Sequence, residues 1–132
     1  MRDLSHTLLK AGFEIWVVSA SIRWIVEVGV KDFGIQHDHV IGSSVVVESG
    51  VLTEKIENMV PYRGAKAKLI EKIIGVKPLL AGGNTYWDKE MLGTARELVL
   101  TINSEKKGTL NYDSEQRLRS LAEANRWLIQ GF

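Results

Sequence analysis

The chain contains no cysteine, which excludes a disulfide framework and any zinc site built on thiolates. An excess of one charge is also absent: 17 basic and 16 acidic residues give a net charge of +1. That balance provides no electrostatic footprint for nucleic acid or an anionic membrane. No apolar run approaches the length of a membrane span. The first ten residues mix charged and polar side chains, unlike a signal peptide, so we expect a cytoplasmic protein.

What is present is the composition of an ordinary globular protein. The sequence has 132 residues, of which 45% are hydrophobic and 25% are charged. A chain of this length can bury a substantial core. We therefore expect one domain over residues 1–132.

The first half alternates between helical and extended patterns. Apolar residues at helical spacing from Leu4 to Ala11 predict an opening helix that ends at Gly12. The apolar run 13–18 predicts a buried strand that ends at Ser19. The remaining predictions are a helix over residues 22–30, a short strand at 40–41, and a hairpin of residues 45–48 and 51–57.

The second half continues the alternation after Pro61. It predicts a helix over 63–74, a strand at 79–81, a helix over 89–96, and a last strand over 97–102. A polar loop over 103–113 then leads to a final helix, which has Ser114 as its N-cap and an apolar end made of Trp127, Leu128, Ile129 and Phe132. Such alternation is typical of a Rossmann-like, three-layer α/β/α sandwich with a mainly parallel sheet.

The stretch from Leu79 to Leu92 organises the rest of the chain. An apolar strand ends in Gly82-Gly83, and polar residues, including Asn84 and Asp88, come next. Open α/β sheets bind ligands at the carboxyl edge of their strands, so these side chains are the first candidates for chemistry. A plainer interpretation is a tight glycine turn followed by a helix start at Asp88.

Polar groups occupy three comparable positions. Ser19 ends a strand, Lys66 begins a helix, and Asn84 and Asp88 follow the glycines. A parallel sheet would bring them to one edge, where hydroxyl, ammonium and carboxylate suit a phosphate and a divalent cation. Each has a plainer alternative: Ser19 as a strand terminus and Lys66 as a solvated helix lysine.

At these residues the sequence resembles the haloacid dehalogenase-like (HAD) phosphatase superfamily, near its phosphoserine-phosphatase-like branch. Residues 16–21 (WVVSAS) resemble the second motif of that family, residues 64–70 (GAKAKLI) the third, and residues 83–88 (GNTYWD) the fourth. The likeness covers residues 1–103, so residues 104–132, the loop and the C-terminal helix, lie outside it.

The resemblance implies roles for individual residues. Ser19, Ala20 and Lys66 would bind the phosphate, and Ser19 and Lys66 would act in catalysis. Asn84 and Asp88 would bind Mg²⁺. Asn84 stands where the family usually has an aspartate, so its neutral amide should lower the affinity for the metal.

The sequence departs from the family at the nucleophile. The first, central strand with its Asp-x-Asp motif is missing, as is the cap domain that largely sets substrate choice; Asp3 lies in the opening helical pattern instead. Covalent catalysis needs the attacking carboxylate itself. We therefore expect the C-terminal part of a magnesium-dependent phosphomonoester hydrolase, inactive or weak alone, that takes a small phosphorylated metabolite. The alternative is a catalytically dead, self-associating binding module.

The missing strand also has a structural consequence. In the family sheet it lies between the strands that end at Ser19 and Ala81. Unpaired strand edges invite pairing. Three outcomes are open. The two halves of the sheet could close on each other, a second copy of the chain could fill the gap, or a complementing N-terminal segment could fill it. We favour the second outcome, a homodimer.

The histidines and the tryptophans are weaker candidates for a functional site. His6, His37 and His39 suggest metal binding, but solvent exposure is the expectation for the polar loop that holds the last two. The four tryptophans are expected in the core or at an interface.

Overall fold

The computed structural model describes residues 1–131, which form two compact units divided between Tyr62 and Arg63. The elements of the first unit are α1 (Arg2–Lys10), β1 (Val17–Ile22), α2 (Arg23–Gly29), 3₁₀ turns at Lys31–Phe33 and His37–His39, β2 (Val40–Ser43), β3 (Val45–Glu48) and β4 (Val51–Ile56). Strands β1 and β2 pair in parallel, and β3 and β4 form an antiparallel hairpin.

The first strand lies later in the sequence than predicted, at Val17–Ile22 rather than residues 13–18. Its partner β2 begins only at Val40, which pairs with Val17, so the earlier residues have no strand beside them. Ser19 consequently lies inside β1 and does not end it, which corrects the sequence-based prediction.

The hairpin is confirmed. Its turn residues Ser49 and Gly50 have φ values of 52° and 79°. Two consecutive positive φ values are typical of the two-residue turns whose twist matches that of the flanking strands.

The second unit contains a parallel sheet. Its elements are α3 (Gly64–Leu69), which continues as a π-helical turn (Ile70–Ile74), β5 (Leu80–Gly83), a 3₁₀ turn (Tyr86–Asp88), α4 (Lys89–Leu92), β6 (Leu98–Asn103), α5 (Tyr112–Asn125) and β7 (Leu128–Gly131). The strand order is β5-β6-β7, and both pairings are parallel. Leu69, Leu92 and Leu118, from three different helices, are almost fully buried in this unit. The α/β class with parallel sheets is thus confirmed.

The C-terminal end is a strand, where the sequence predicted a continuing helix. Helix α5 ends at Asn125, and Arg126 follows in the left-handed region with φ 57°. Leu128 and Ile129 then pair with Leu100 and Thr101 of β6, which satisfies the backbone groups along that side of β6. The prediction that β6 is the last strand is therefore wrong, and the predicted apolar contribution of Phe132 lies outside the described residues.

Two further helices differ from their predicted lengths. Helix α4 is only four residues long, because the chain leaves it at Gly93, and Thr94 caps the last turn by donating its hydroxyl to the Met91 carbonyl. The predicted helix over 63–74 begins at Gly64, and its second half widens into the π-helical turn. Over residues 1–131, no helix combines the length and the apolar character that a membrane crossing requires.

Candidate functional site

The central contact of the second unit joins Lys66 and Asp88. Lys66 lies in the first turn of α3, and Asp88 ends the 3₁₀ turn that follows β5. The ammonium donates to Oδ1 of Asp88 at 2.5 Å, and the two side chains are only 13% and 6% exposed. Burial strengthens such a charge-assisted hydrogen bond and makes the loss of either partner costly. Lys66 is therefore not a solvated helix lysine.

Asp88 is also fixed from the opposite side. Its Oδ2 accepts hydrogen bonds from the backbone N–H of Thr85 at 3.2 Å and from the Thr85 hydroxyl at 3.1 Å. This arrangement is a capping box, in which the two ends of a helical turn satisfy each other's backbone groups. Both carboxylate oxygens thus have donors, so Asp88 is held in one orientation.

Gly83 makes room for that carboxylate. A Cβ atom at this position would lie 3.0 Å from the Asp88 Cβ and 3.1 Å from its Oδ2. Glycine therefore allows the end of β5 to pass close to Asp88. This close approach restricts position 83 to glycine more strongly than a tight turn would.

A stacked pair lies beside the ion pair. The Arg63 guanidinium sits 4.2 Å from the ring centre of Trp87, the residue before Asp88. Arg63 directly precedes α3, and its backbone has φ 53° and ψ −132°, an unusual conformation for a residue with a Cβ atom. The stack links the start of the Lys66 helix to the turn that carries Asp88.

Three side chains, which we name the Tyr86 cluster, gather at the start of the same turn: Tyr86, Lys89 and Arg117. The Lys89 ammonium lies 4.2 Å and the Arg117 guanidinium 4.1 Å from the Tyr86 ring centre. Hydrogen bonds and positive charge from Lys89, and to a lesser extent from Arg117, lower the pKa of the Tyr86 phenol. Such a shift indicates that positive charge surrounds the hydroxyl.

Ser114 does not cap α5, contrary to the sequence-based prediction. The helix begins at Tyr112, and the Ser114 hydroxyl oxygen accepts a hydrogen bond from the backbone N–H of Tyr86 at 3.0 Å. Glu115, the next residue, is 1% exposed and accepts hydrogen bonds from the backbone N–H groups of Ser104 and Glu105 at 2.7 and 2.8 Å. Helix α5 therefore holds both the Tyr86 turn and the loop after β6.

The described residues provide only part of a donor set for magnesium. Asn84 is exposed, and it offers a neutral amide oxygen next to the capping box. Asp88 is the one buried carboxylate here, and both of its oxygens already accept hydrogen bonds. Within residues 1–131, no three His, Cys, Asp or Glu side chains gather as a metal-binding group. A magnesium ion would need at least one further carboxylate or phosphate besides Asn84 and Asp88.

Ser19 and Ala20 belong to the first unit. The Ser19 hydroxyl oxygen accepts from the backbone N–H of Ser21 at 3.1 Å, and the Ser43 hydroxyl donates to the Ala20 carbonyl at 2.7 Å. The first contact is local to β1, and the second fixes the end of β1 against β2. The structure joins Lys66 to Asp88 within the second unit, whereas the approach of Ser19 to them stays a prediction.

The histidines and tryptophans have ordinary structural surroundings. His39 is half-buried: its ring stacks on Trp16 with centres 4.5 Å apart, and its Nε2 lies 3.3 Å from a Glu14 carboxylate oxygen. The expectation of exposure holds for His37 but is wrong for His39. All four tryptophans are partly buried.

Sequence reasoning placed Tyr86 and Trp87 beside the site, as residues that contact a ligand or cover the gap of the missing strand, but it missed their partners Arg63, Lys89 and Arg117. The spacing of Tyr86 and Lys89, three residues apart at a helix start, was a usable signal for their contact. Arg117 is 31 positions beyond Tyr86, and nothing in the sequence connects them. The same is true of Arg63 and Trp87.

The sequence profile of haloacid dehalogenase-like hydrolases matches residues 1–94. A solved protein of unknown function from Bordetella pertussis Tohama I is similar in fold, with a TM-score of 0.61 and 19% identity over 98% of this chain. A phosphoserine phosphohydrolase-like protein from Francisella tularensis subsp. tularensis SCHU S4 has a TM-score of 0.63 and 17% identity over 95% of this chain. The chain spans 56% and 60% of these two proteins. No curated protein matches it significantly.

Proposed function

The chain belongs to the haloacid dehalogenase-like hydrolase family, and on this premise we propose that it is the phosphate- and metal-binding C-terminal part of a magnesium-dependent phosphomonoester hydrolase. The observation that carries the proposal is the buried ion pair between Lys66 and Asp88. A lysine held by one carboxylate is positioned to neutralise a phosphoryl group that arrives beside it.

Each candidate residue has a role in this proposal. Lys66 neutralises the phosphoryl group, Ser19 donates a hydrogen bond to it, and the backbone of Ala20 lines the same place. Asp88 and Asn84 provide oxygen ligands for Mg²⁺. The substrate is a small phosphorylated metabolite, and the protein works in the cytoplasm.

The nucleophile must come from outside the printed sequence, which contains no Asp-x-Asp motif at all. Removal of an enzyme's nucleophile typically costs several orders of magnitude in rate. We propose that a complementing segment supplies both the missing aspartate and a carboxylate that completes the incomplete donor set for magnesium. The chain alone is then inactive or weak.

The strand pairings support such a complement. Among the described residues, β5 pairs only with β6, and β1 pairs only with β2, so each has one side without a strand partner. The backbone groups on those sides are available for a further strand. The two solved proteins of similar fold have additional chain beyond the part that matches.

A phosphatase assay tests the proposal. A chromogenic phosphomonoester is incubated with Mg²⁺ and the chain, alone and with a peptide that carries an apolar strand ending in Asp-x-Asp. We expect turnover only with the peptide and Mg²⁺, and we expect Lys66→Ala to abolish it. Lys68→Ala is the matched control, because Lys68 is an exposed lysine of the same helix. Turnover that persists in the Lys66→Ala variant would contradict the proposal. The absence of turnover in every mixture would also contradict it.

A second candidate function is a catalytically dead binding module that associates with a second copy. The observation that favours it is Asn84, whose amide brings no negative charge to the place of a metal-ligating aspartate. This module would keep Lys66 and Ser19 as a residual anion site.

A further inference from the structure

We propose that the Tyr86 cluster is an anion-binding site, separate from the Lys66–Asp88 pair, which takes a carboxylate or phosphate group of a ligand. The cluster brings three donors to one place from three elements: the 3₁₀ turn before α4, α4 itself and α5. The inference does not depend on the proposed phosphatase function.

The positive charge of the cluster is only partly balanced by nearby carboxylates. Among the described residues, no carboxylate lies within ion-pair distance of Arg117, and the nearest to Lys89 is Glu90 at 3.9 Å. Arg119, on the same helix, shows the usual arrangement, with Glu123 at 3.1 Å. Arg117 is instead held over the Tyr86 ring, where a cation–π contact orients it without neutralising it.

The cluster is also held in place before any ligand arrives. Ser114 accepts a hydrogen bond from the Tyr86 backbone, and Arg117 follows it by three residues, so both lie on one face of α5. The turn and the helix are therefore fixed relative to each other. A site that is ordered in advance loses less conformational entropy on binding.

The chemistry of the donors selects the ligand. A guanidinium binds carboxylate or phosphate through two parallel hydrogen bonds, and an ammonium adds a compact charge. The Tyr86 hydroxyl adds one O–H donor that can reach toward an anion beside the two cations. Arg117 is exposed and Tyr86 is half-buried, so a ligand can reach the cluster from solvent.

Titration of the whole ¹⁵N-labelled chain with inorganic phosphate, and separately with malonate, tests the inference. We expect saturable shifts of the backbone amides of residues 86–89 and 114–118 with at least one anion, and the responding anion identifies the ligand class. Shifts confined to residues 64–67 would report the Lys66 site instead and would contradict the inference. The two sites can thus fail independently.

Variants assign the binding to the cluster. Arg117→Gln and Lys89→Gln should each lower the affinity for the anion about fivefold. This change corresponds to the loss of roughly 1 kcal/mol for one charge-assisted hydrogen bond. Arg117→Lys should restore part of the affinity, and Arg119→Gln is the matched control that should change nothing. No saturable shift with either anion, or unchanged affinity in both glutamine variants, would overturn the inference.

Discussion

Arg63 combines an unfavourable backbone conformation with a side chain stacked on Trp87. Non-glycine residues in such regions cost of order 1–3 kcal/mol each, and they persist only where their surroundings hold them. Here the Arg63 carbonyl accepts from the Lys66 N–H at 3.0 Å, so the strained residue forms the first turn of α3. The strain is located where the helix must deliver Lys66 to Asp88.

Substitution at Arg63 can separate the backbone strain from the stack. Both Arg63→Gly and Arg63→Ala lose the contact with Trp87, but only glycine tolerates φ 53° without a steric penalty. We expect the glycine variant to be more stable than the alanine variant by about 1 kcal/mol, after the greater chain entropy of glycine is included. Urea denaturation measures the difference. Equal or lower stability of the glycine variant would show that the backbone is not strained.

At the scale of single residues, the sequence singled out Lys66 and Asp88 as residues that lie close together, but neither their ion pair nor its neighbours. Lys66 and Asp88 could be predicted because each follows a recognisable element boundary. Their supports, Arg63 and Arg117, are surface-type residues whose partners depend on tertiary packing. Asp88 was also predicted as a helix start, and helix α4 does begin at the next residue, Lys89, while the role of Asp88 as a metal ligand stays a prediction.

At the scale of elements, Glu115 and its helix organise the loop after β6. Its buried carboxylate accepts two backbone N–H groups that would otherwise be unsatisfied. We expect Glu115→Gln to lower the free energy of unfolding by about 1–3 kcal/mol, because the amide loses the charge and turns one donor toward another donor.

The matched control for that change is Glu123→Gln on the same helix. Glu123 is exposed and pairs with Arg119, and exposed pairs contribute less than about 1 kcal/mol. Chemical denaturation of both variants gives the comparison. If the Glu115→Gln variant were as stable as the control, the proposed contribution of its hydrogen bonds to the loop after β6 would be contradicted.

The two strands that sequence patterns misplaced share one cause, which is pairing between distant segments. Strand β1 begins where β2 can pair with it, and β7 forms because β6 offers it a partner. An apolar run such as residues 127–129 fits either a helix or a strand, and only the partner decides between them.

At the scale of the whole molecule, self-association is the expected fate of the unpaired strand edges if no complementing segment is present. We expect the isolated chain to form dimers at high concentration, because β1 and β5 each present one side without a strand partner among the described residues. Light scattering coupled to size-exclusion chromatography measures the mass.

The complementing peptide provides the control for that experiment. If the same edges are involved, an excess of a peptide that ends in Asp-x-Asp should convert the dimer to a one-to-one complex. A chain that stays monomeric at every concentration would contradict self-association, and a dimer that the peptide leaves intact would place its interface elsewhere.

One carboxylate oxygen of Asp88 accepts a hydrogen bond from Lys66, and the other accepts one from Thr85. This arrangement couples the binding of a cation to the binding of an anion. A cation that captures the oxygen facing Lys66 releases the lysine toward an incoming anion, and an anion that draws the lysine away releases the carboxylate toward a cation. Because such linkage is reciprocal, we expect each ion to raise the affinity of the other by the same factor. The ion pair between Lys66 and Asp88 should then yield more readily to a cation and an anion together than to either ion alone.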